Sequence, residues 1–208
     1  MSEPIAVIDF ETTGMSPAQG ARPTEIGVAL IADGEIVGRY QSLMNAGAWV
    51  PPFIEQLTGI SNAMLRGAPP VAEVMAEAVE FIGAAPLLAH NAAFDSKFWD
   101  AELAQLGRRR QRDFACSLLL SRRLLPEAPS HKLGSLNSWV GLPSTGRAHR
   151  ALADAEMAAN LCLHLQRLLR ERHAIEADHA YLCGLQKLSA AKVRALLRGA
   201  QPASSSLP

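Results

Sequence analysis

Ile5, Ala6, Val7 and Ile8 form an unbroken apolar run between Pro4 and the turn signal Thr12-Thr13-Gly14. Without polar alternation, such a run predicts a central strand covered on both faces. Residues 24–32 predict a second strand, and Asp33-Gly34 a tight hairpin turn into a third over 35–42. A loop over 45–52 then leads to a short helix over 52–57, and Ser61 is placed to cap a second short helix. After Pro70, the residues Val71, Val74, Met75, Ala78, Val79 and Ile82 recur at helical spacing. Residues 86–90 predict a short strand, 92–106 a helix, 112–116 a fifth strand and 117–125 a helix. Helices follow over 132–140 and, longest of all, 150–170. Three strands and then alternating helices and strands describe an α/β domain with a mixed central sheet. Beyond residue 172, 177–188 is weakly helical and Ser189 caps the amphipathic stretch AAKVRALLRG. The expected organisation is a domain over 1–172, a small helical extension over 173–200 packed back on it, and a frayed polar tail over 201–208.

Composition narrows the class without naming a function. Of 208 residues 49% are hydrophobic, which is enough for one well-buried domain, and the formal net charge is zero. A neutral chain has no general electrostatic pull on nucleic acid, so such binding would rest on local patches. Cys116, Cys162 and Cys183 are odd in number and widely spaced, which points to a reduced compartment and away from zinc or disulfides. No apolar stretch approaches the length of a membrane span, and Glu3 stands where a signal peptide would carry basic charge. A cytoplasmic protein without membrane contact is expected.

The polar residues that interrupt the apolar pattern carry the candidate chemistry. Asp9 and Glu11 follow the first apolar run two positions apart, so strand geometry points both side chains the same way. Two like charges beside a core are costly unless a cation lies between them. Asp95 follows His90-Asn91 at the end of the fourth strand, and Asp154 interrupts an Ala/Leu-rich helix face five residues after His149. Singly, each has a plain alternative: Asp95 and Asp154 as helix-terminus charges favoured by the dipole, His149 as a hydrogen-bonded surface histidine.

Together, D-x-E-T-T-G at 9–14, H-N-x-x-F-D at 90–95 and H-x-A-x-x-D at 149–154 resemble the three motifs of the DEDDh 3′→5′ exonucleases. That family includes the proofreading subunit of bacterial DNA polymerase III, ribonuclease T and oligoribonuclease. The similarity runs in order from about residue 4 to 170, and Thr24-Glu25-Ile26-Gly27 matches a second-strand E-I-G signature. The resemblance implies a ribonuclease-H-like mixed sheet of about five strands flanked by helices. It also implies two divalent ions, Mg²⁺ or Mn²⁺, held by Asp9, Glu11, Asp95 and Asp154. Hard ions of this kind prefer oxygen ligands, and a pair of them suits phosphodiester hydrolysis. His149 would take the proton of the attacking water, moving in from a loop that contains Gly146. Phe10, Thr12 and Thr13 would line the pocket of the 3′-terminal nucleotide, partly through backbone groups. Asn91 would support the strand end with His90, itself as well read as a structural histidine. Arg147 and Arg150, flanking His149, would meet substrate phosphates.

The segment Leu57-Thr58-Gly59-Ile60 departs from the family by placing Thr58 where a histidine is common. Arg108, Arg109, Arg110 and Arg112 make a dense basic run that reads as a solvated loop or as a phosphate track. The expected activity is 3′→5′ exonuclease action on single-stranded DNA, with RNA trimming as the alternative and a silent binding subunit as the rival from another class. A polymerase or other protein partner would engage the C-terminal helices.

Overall fold

The first strand does not stop where its apolar residues stop. In the computed structural model, which describes residues 3–143, 145, 146 and 149–199, β1 runs Ile5–Thr12 and carries Asp9 and Glu11 within the strand. β2 (Pro23–Ala32) and β3 (Glu35–Leu43) form the expected hairpin, turned by Asp33 at φ 50° and Gly34 at φ 92°. Two consecutive positive φ angles match the right-handed twist of the flanking strands. The helices α1 (Pro52–Thr58), α2 (Asn62–Arg66) and α3 (Val71–Ile82) follow, then β4 (Leu87–Ala89) and α4 (Asp95–Gln105). Ser61 caps α2 by accepting from the Met64 amide at 3.2 Å. The fifth strand is shorter than the sequence implies, β5 covering only Ala115–Cys116, and leads directly into α5 (Ser117–Leu124). α6 (Leu133–Trp139), α7 (Ala151–His173), α8 (His179–Lys187) and α9 (Ala190–Gly199) complete the described chain. A 3-10 turn at Pro17–Gln19 is an element that the pattern did not announce.

The sheet order is β3-β2-β1-β4-β5, antiparallel across the first three strands and parallel from β1 through β4 to β5. Strand alternation sorts the core into two layers. Ile5 and Val7 of β1, with Ala29 and Ile31 of β2, pack under α7 together with Leu161, Leu165 and Leu169. Ala6, Ile8 and Phe10 point the other way, onto Val74, Met75, Phe98 and Trp99 of α3 and α4. Asp9 and Glu11 share the parity of Ile5 and Val7, so they lie on the α7 face.

The segment beyond residue 172 shares the core of the sheet. Leu182, Cys183, Leu185, Val193 and Leu197 are buried in the same cluster as Val7 and Leu165. Gln186 closes the open edge of β5, its Oε1 accepting from the Cys116 amide at 2.7 Å and its Nε2 donating to the Phe114 carbonyl at 2.9 Å. One side-chain amide thus supplies the donor and acceptor that a further strand would have offered. The tail expected over 201–208 lies outside the described residues. No helix among the described residues is long and apolar enough to cross a membrane.

Candidate active site

The carboxylates meet where β4 ends early. Even-numbered amides of β1 face β4: the Ala6 amide donates to the Pro86 carbonyl at 2.9 Å. After Ala89 the fourth strand has gone, and the Phe10 amide would lose its partner. Asp95, the first residue of α4 and only 2% exposed, accepts that amide at 3.1 Å through Oδ1. The carboxylate therefore sits in the crevice beside Asp9 and Glu11, at the carboxyl end of parallel strands where α/β sheets open.

Asp154 arrives from the other layer, in the first turns of α7 over the β1–β2 face. Its Oδ2 accepts from the His149 amide at 3.1 Å, which ties the residue before the helix back onto the helix. One ring nitrogen of the exposed His149 and one carboxylate oxygen each from Glu11 and Asp154 all lie within 4.8 Å of one another. His149 has φ 61°, a left-handed conformation uncommon outside glycine and enriched at functional positions.

Burial and mutual repulsion act on this cluster together. Asp9 is held well above the usual carboxylate range, first by desolvation and then by the charges of Asp95, Asp154, Glu11 and Glu25. Glu11 is pushed up to about 8 by burial, then by Asp154, Glu25 and Asp95. Asp95 and Asp154 are raised as well, chiefly by desolvation. Four carboxylates that resist ionising in company are a site short of positive charge. Their all-oxygen donors, with an imidazole at the rim, fit hard divalent cations better than zinc-type thiolate chemistry.

The other residues singled out by sequence are placed as follows. The Phe10 ring lies in the α3/α4 layer, 6.5 Å from the Phe98 ring, so only its backbone faces the carboxylates. The Thr12 hydroxyl donates to the Gly14 carbonyl at 2.7 Å, and Thr13 Oγ1 accepts from the Arg22 amide at 3.0 Å. Both hydroxyls shape the turn after β1. Arg22 also grips the buried Glu102 of α4 through two bonds of 3.1 Å, fastening that turn above the crevice. Asn91 is exposed at φ 64°. His90 is structural: its Nε2 donates to the His131 carbonyl at 3.0 Å, so Nδ1 accepts from Ser117 Oγ at 2.9 Å. Burial pushes its pKa down to about 4, which keeps the ring neutral near pH 7. Thr58 is buried, bonded to Ile54 and Ile60 within its own turn, and offers no hydroxyl to a substrate. Arg147 lies outside the described residues.

Arg150 is not free beside His149. Its Nη2 donates to Glu25 Oε1 at 2.6 Å, and Nε reaches both Glu25 oxygens at 3.1 and 3.2 Å. Glu25, noted in the sequence only as part of the E-I-G signature, is the residue to which sequence reasoning assigned no role. Only the folded register reveals its place: Glu25 pairs directly with Glu11 across the β1–β2 ladder and so faces the same layer.

A family model described as Exonuclease matches residues 6–162, three quarters of the chain. The chain belongs to the exonuclease family. Among relatives of this exonuclease-family chain is the DNA polymerase III subunit epsilon of Aquifex aeolicus, 30% identical over 182 residues, covering 87% of this chain and 89% of that protein. The 3′-5′ exonuclease DinG of Bacillus subtilis is 36% identical over 169 residues, covering 79% of this chain and 18% of that protein. The chain thus spans under a fifth of that longer relative. Exonuclease X, solved in complex with 5′-overhanging duplex DNA, superposes with a TM-score of 0.70 at 22% identity, covering 88% of this chain and 99% of that one. At that identity the likeness is one of fold.

Proposed function

We propose that this chain is a metal-dependent 3′→5′ exonuclease that removes nucleotides from single-stranded nucleic acid, with DNA as the preferred polymer. One observation carries the proposal: Asp9, Glu11, Asp95 and Asp154 converge in one crevice with raised pKa values, and His149 stands at its rim. Asp9, Glu11 and Asp154 would hold two ions, Mg²⁺ or Mn²⁺, with Asp95 contributing directly or through water. Bound divalent ions supply neutralisation of phosphate charge and a water acidic enough to attack near neutral pH. The chain's own residues do the rest. His149 accepts the proton of the attacking water at a ring nitrogen, held near Glu11 and Asp154 and exposed enough to reach it. The backbone at Phe10 to Thr13, fixed by the Arg22 contacts, orients the terminal nucleotide. The name of the epsilon relative supports DNA and a polymerase partner over RNA trimming. The nuclease core is assigned to residues 1–172, with 173–200 as the extension a partner would meet.

The test uses 5′-labelled single-stranded DNA and RNA of matched sequence, with Mg²⁺, with Mn²⁺ and with chelator. A ladder shortening from the 3′ end, faster on DNA and absent with chelator, is expected. Asp154→Ala should abolish it at every pH, and His149→Ala should lower kcat by about 10²- to 10⁴-fold while metal binding persists. No shortening of either polymer by folded protein would favour a binding subunit and overturn the proposal.

A further inference from the structure

The start of α7 has no cap of its own. Arg150 occupies the N-cap position and makes no capping bond with its side chain, yet the first helical amide, that of Ala151, is buried and needs an acceptor. Glu25 supplies it from the neighbouring strand. This carboxylate is 0% exposed, accepts the Ala151 amide at 2.9 Å through Oε2, and receives the Arg150 guanidinium on the same side. Gln41 of β3 donates to its Oε1 at 2.8 Å and fixes it from behind. Two residues along β2, Gly27 lies directly opposite Asp9. A Cβ there would stand 2.2 Å from the Leu152 nitrogen and 2.3 to 2.4 Å from the Ala151 carbonyl carbon and oxygen. The helix backbone rests on the bare strand at the level of the first carboxylate, an approach that only glycine permits.

We infer that Glu25, Gly27 and Arg150 form a socket whose role is to fix the first turn of α7, and so to set Asp154 and His149 beside Glu11. Glu25 is a positioning residue, and Arg150 belongs to the socket and not to a phosphate site. The inference rests on the metal-dependent reading of the site. Two features favour it over a merely stabilising ion pair. Glu25 places a further buried negative charge among carboxylates that already repel one another, a cost that hydrophobic packing at this point would avoid. The contacts also converge on the one turn that holds Asp154 and continue into its bond with the His149 amide.

The experiment measures Mn²⁺ affinity by titration calorimetry, kcat and KM on 5′-labelled single-stranded DNA, and the urea unfolding midpoint. The proteins are wild type, Gly27→Ala, Glu25→Gln and Arg150→Ala. Residues that orient metal ligands from behind typically change metal affinity by about 10- to 100-fold when replaced. All three variants are therefore expected to bind Mn²⁺ at least about tenfold more weakly and to lose kcat, with KM little changed and cooperative unfolding retained. If Gly27→Ala does not fold, the isosteric Glu25→Gln decides. Unchanged Mn²⁺ affinity in Glu25→Gln, or a raised KM with unchanged Mn²⁺ affinity in Arg150→Ala, overturns the socket alone. A wild-type protein that neither binds Mn²⁺ nor shortens DNA overturns the metal-dependent reading and the socket with it.

Discussion

Glu11 is a carboxylic acid whose surroundings oppose its charge. Burial raises its pKa from an ordinary 4.5 to about 8, and Asp154, Glu25 and Asp95 add to the effect. The consequence for pH follows from the direction of the shift. In the metal-free folded protein Glu11 holds its proton up to about pH 8, whereas the unfolded chain releases it near 4.5. The native state then binds more protons across that window, so this contribution to stability is full below about 4.5 and is lost as pH rises through 8. Divalent metal needs the ionised form and must displace the proton. Calorimetric titration of Mn²⁺ near pH 7 in buffers of different ionisation enthalpy should therefore show release of about one proton or more per site. Chelated protein should also melt at lower temperature at pH 8 than at pH 5.5, with metal reversing the loss. Buffer-independent heats would contradict the protonated state of the cluster. Of the residues involved, Asp9, Glu11, Asp95, Asp154 and His149 could be named from sequence because together their three motifs resemble those of the DEDDh exonucleases, although each taken singly had a plain alternative. Glu25 could not, because a glutamate on a strand looks the same whether it reaches solvent or bridges to a helix 125 residues away.

At the level of elements, the lengths of β4 and β5 decide what the crevice contains. A three-residue β4 leaves the Phe10 amide for Asp95, and a two-residue β5 leaves its outer edge for Gln186. Both strands are shorter than the sequence implies: Pro86 and His90 fall outside β4, and Arg112, Asp113 and Phe114 fall outside β5. Gln186→Ala removes the group that satisfies two backbone partners at the edge of β5. A loss of about 1–3 kcal/mol is expected in urea unfolding, with Mn²⁺ affinity unchanged because the edge lies across the sheet from β2. A variant as stable as wild type would mean that water replaces the glutamine without cost. Helix positions were the most legible part of the chain: α3 and α7 follow their periodic stripes closely, because burying one face of a long helix needs only local spacing.

The whole molecule separates its charges by distance. α4 starts at Asp95 in the crevice and runs 11 residues, roughly 16 Å, before the arginine run at its far end. There Arg110 pairs with Asp100 and lies 5.2 Å over the Phe114 ring, and Arg112 pairs with Glu3. The run borders a cavity of about 410 Å³ beside Pro86 and Leu87, at the end of β4 away from the carboxylates. Placed there, the run is expected to act as a solvated loop and not as a phosphate track into the site. Changing Arg108 and Arg109 together to serine should leave KM for a short single-stranded oligonucleotide within about twofold, whereas a loss of the size that P-contacting arginines produce, tenfold or more, would restore the track.

Local information determined much of this protein. The apolar run of β1, the Asp33-Gly34 turn, the helical stripes and the three carboxylate motifs each depend on residues close in sequence; the order of elements indicated a mixed sheet, and the resemblance of the motifs to those of the DEDDh exonucleases indicated a metal-dependent hydrolase. Tertiary structure alone decided that Asp9 and Glu11 lie inside a strand under α7, that Phe10 turns its ring away from them, and that Arg150 is held by Glu25. It also decided that Gly27 must be bare where the helix crosses. The physical reason is one of range: periodicity reports which face of an element is buried, but which side chain meets which across the layers is set by strand parity, strand length and helix approach, and these exist only when the chain is packed.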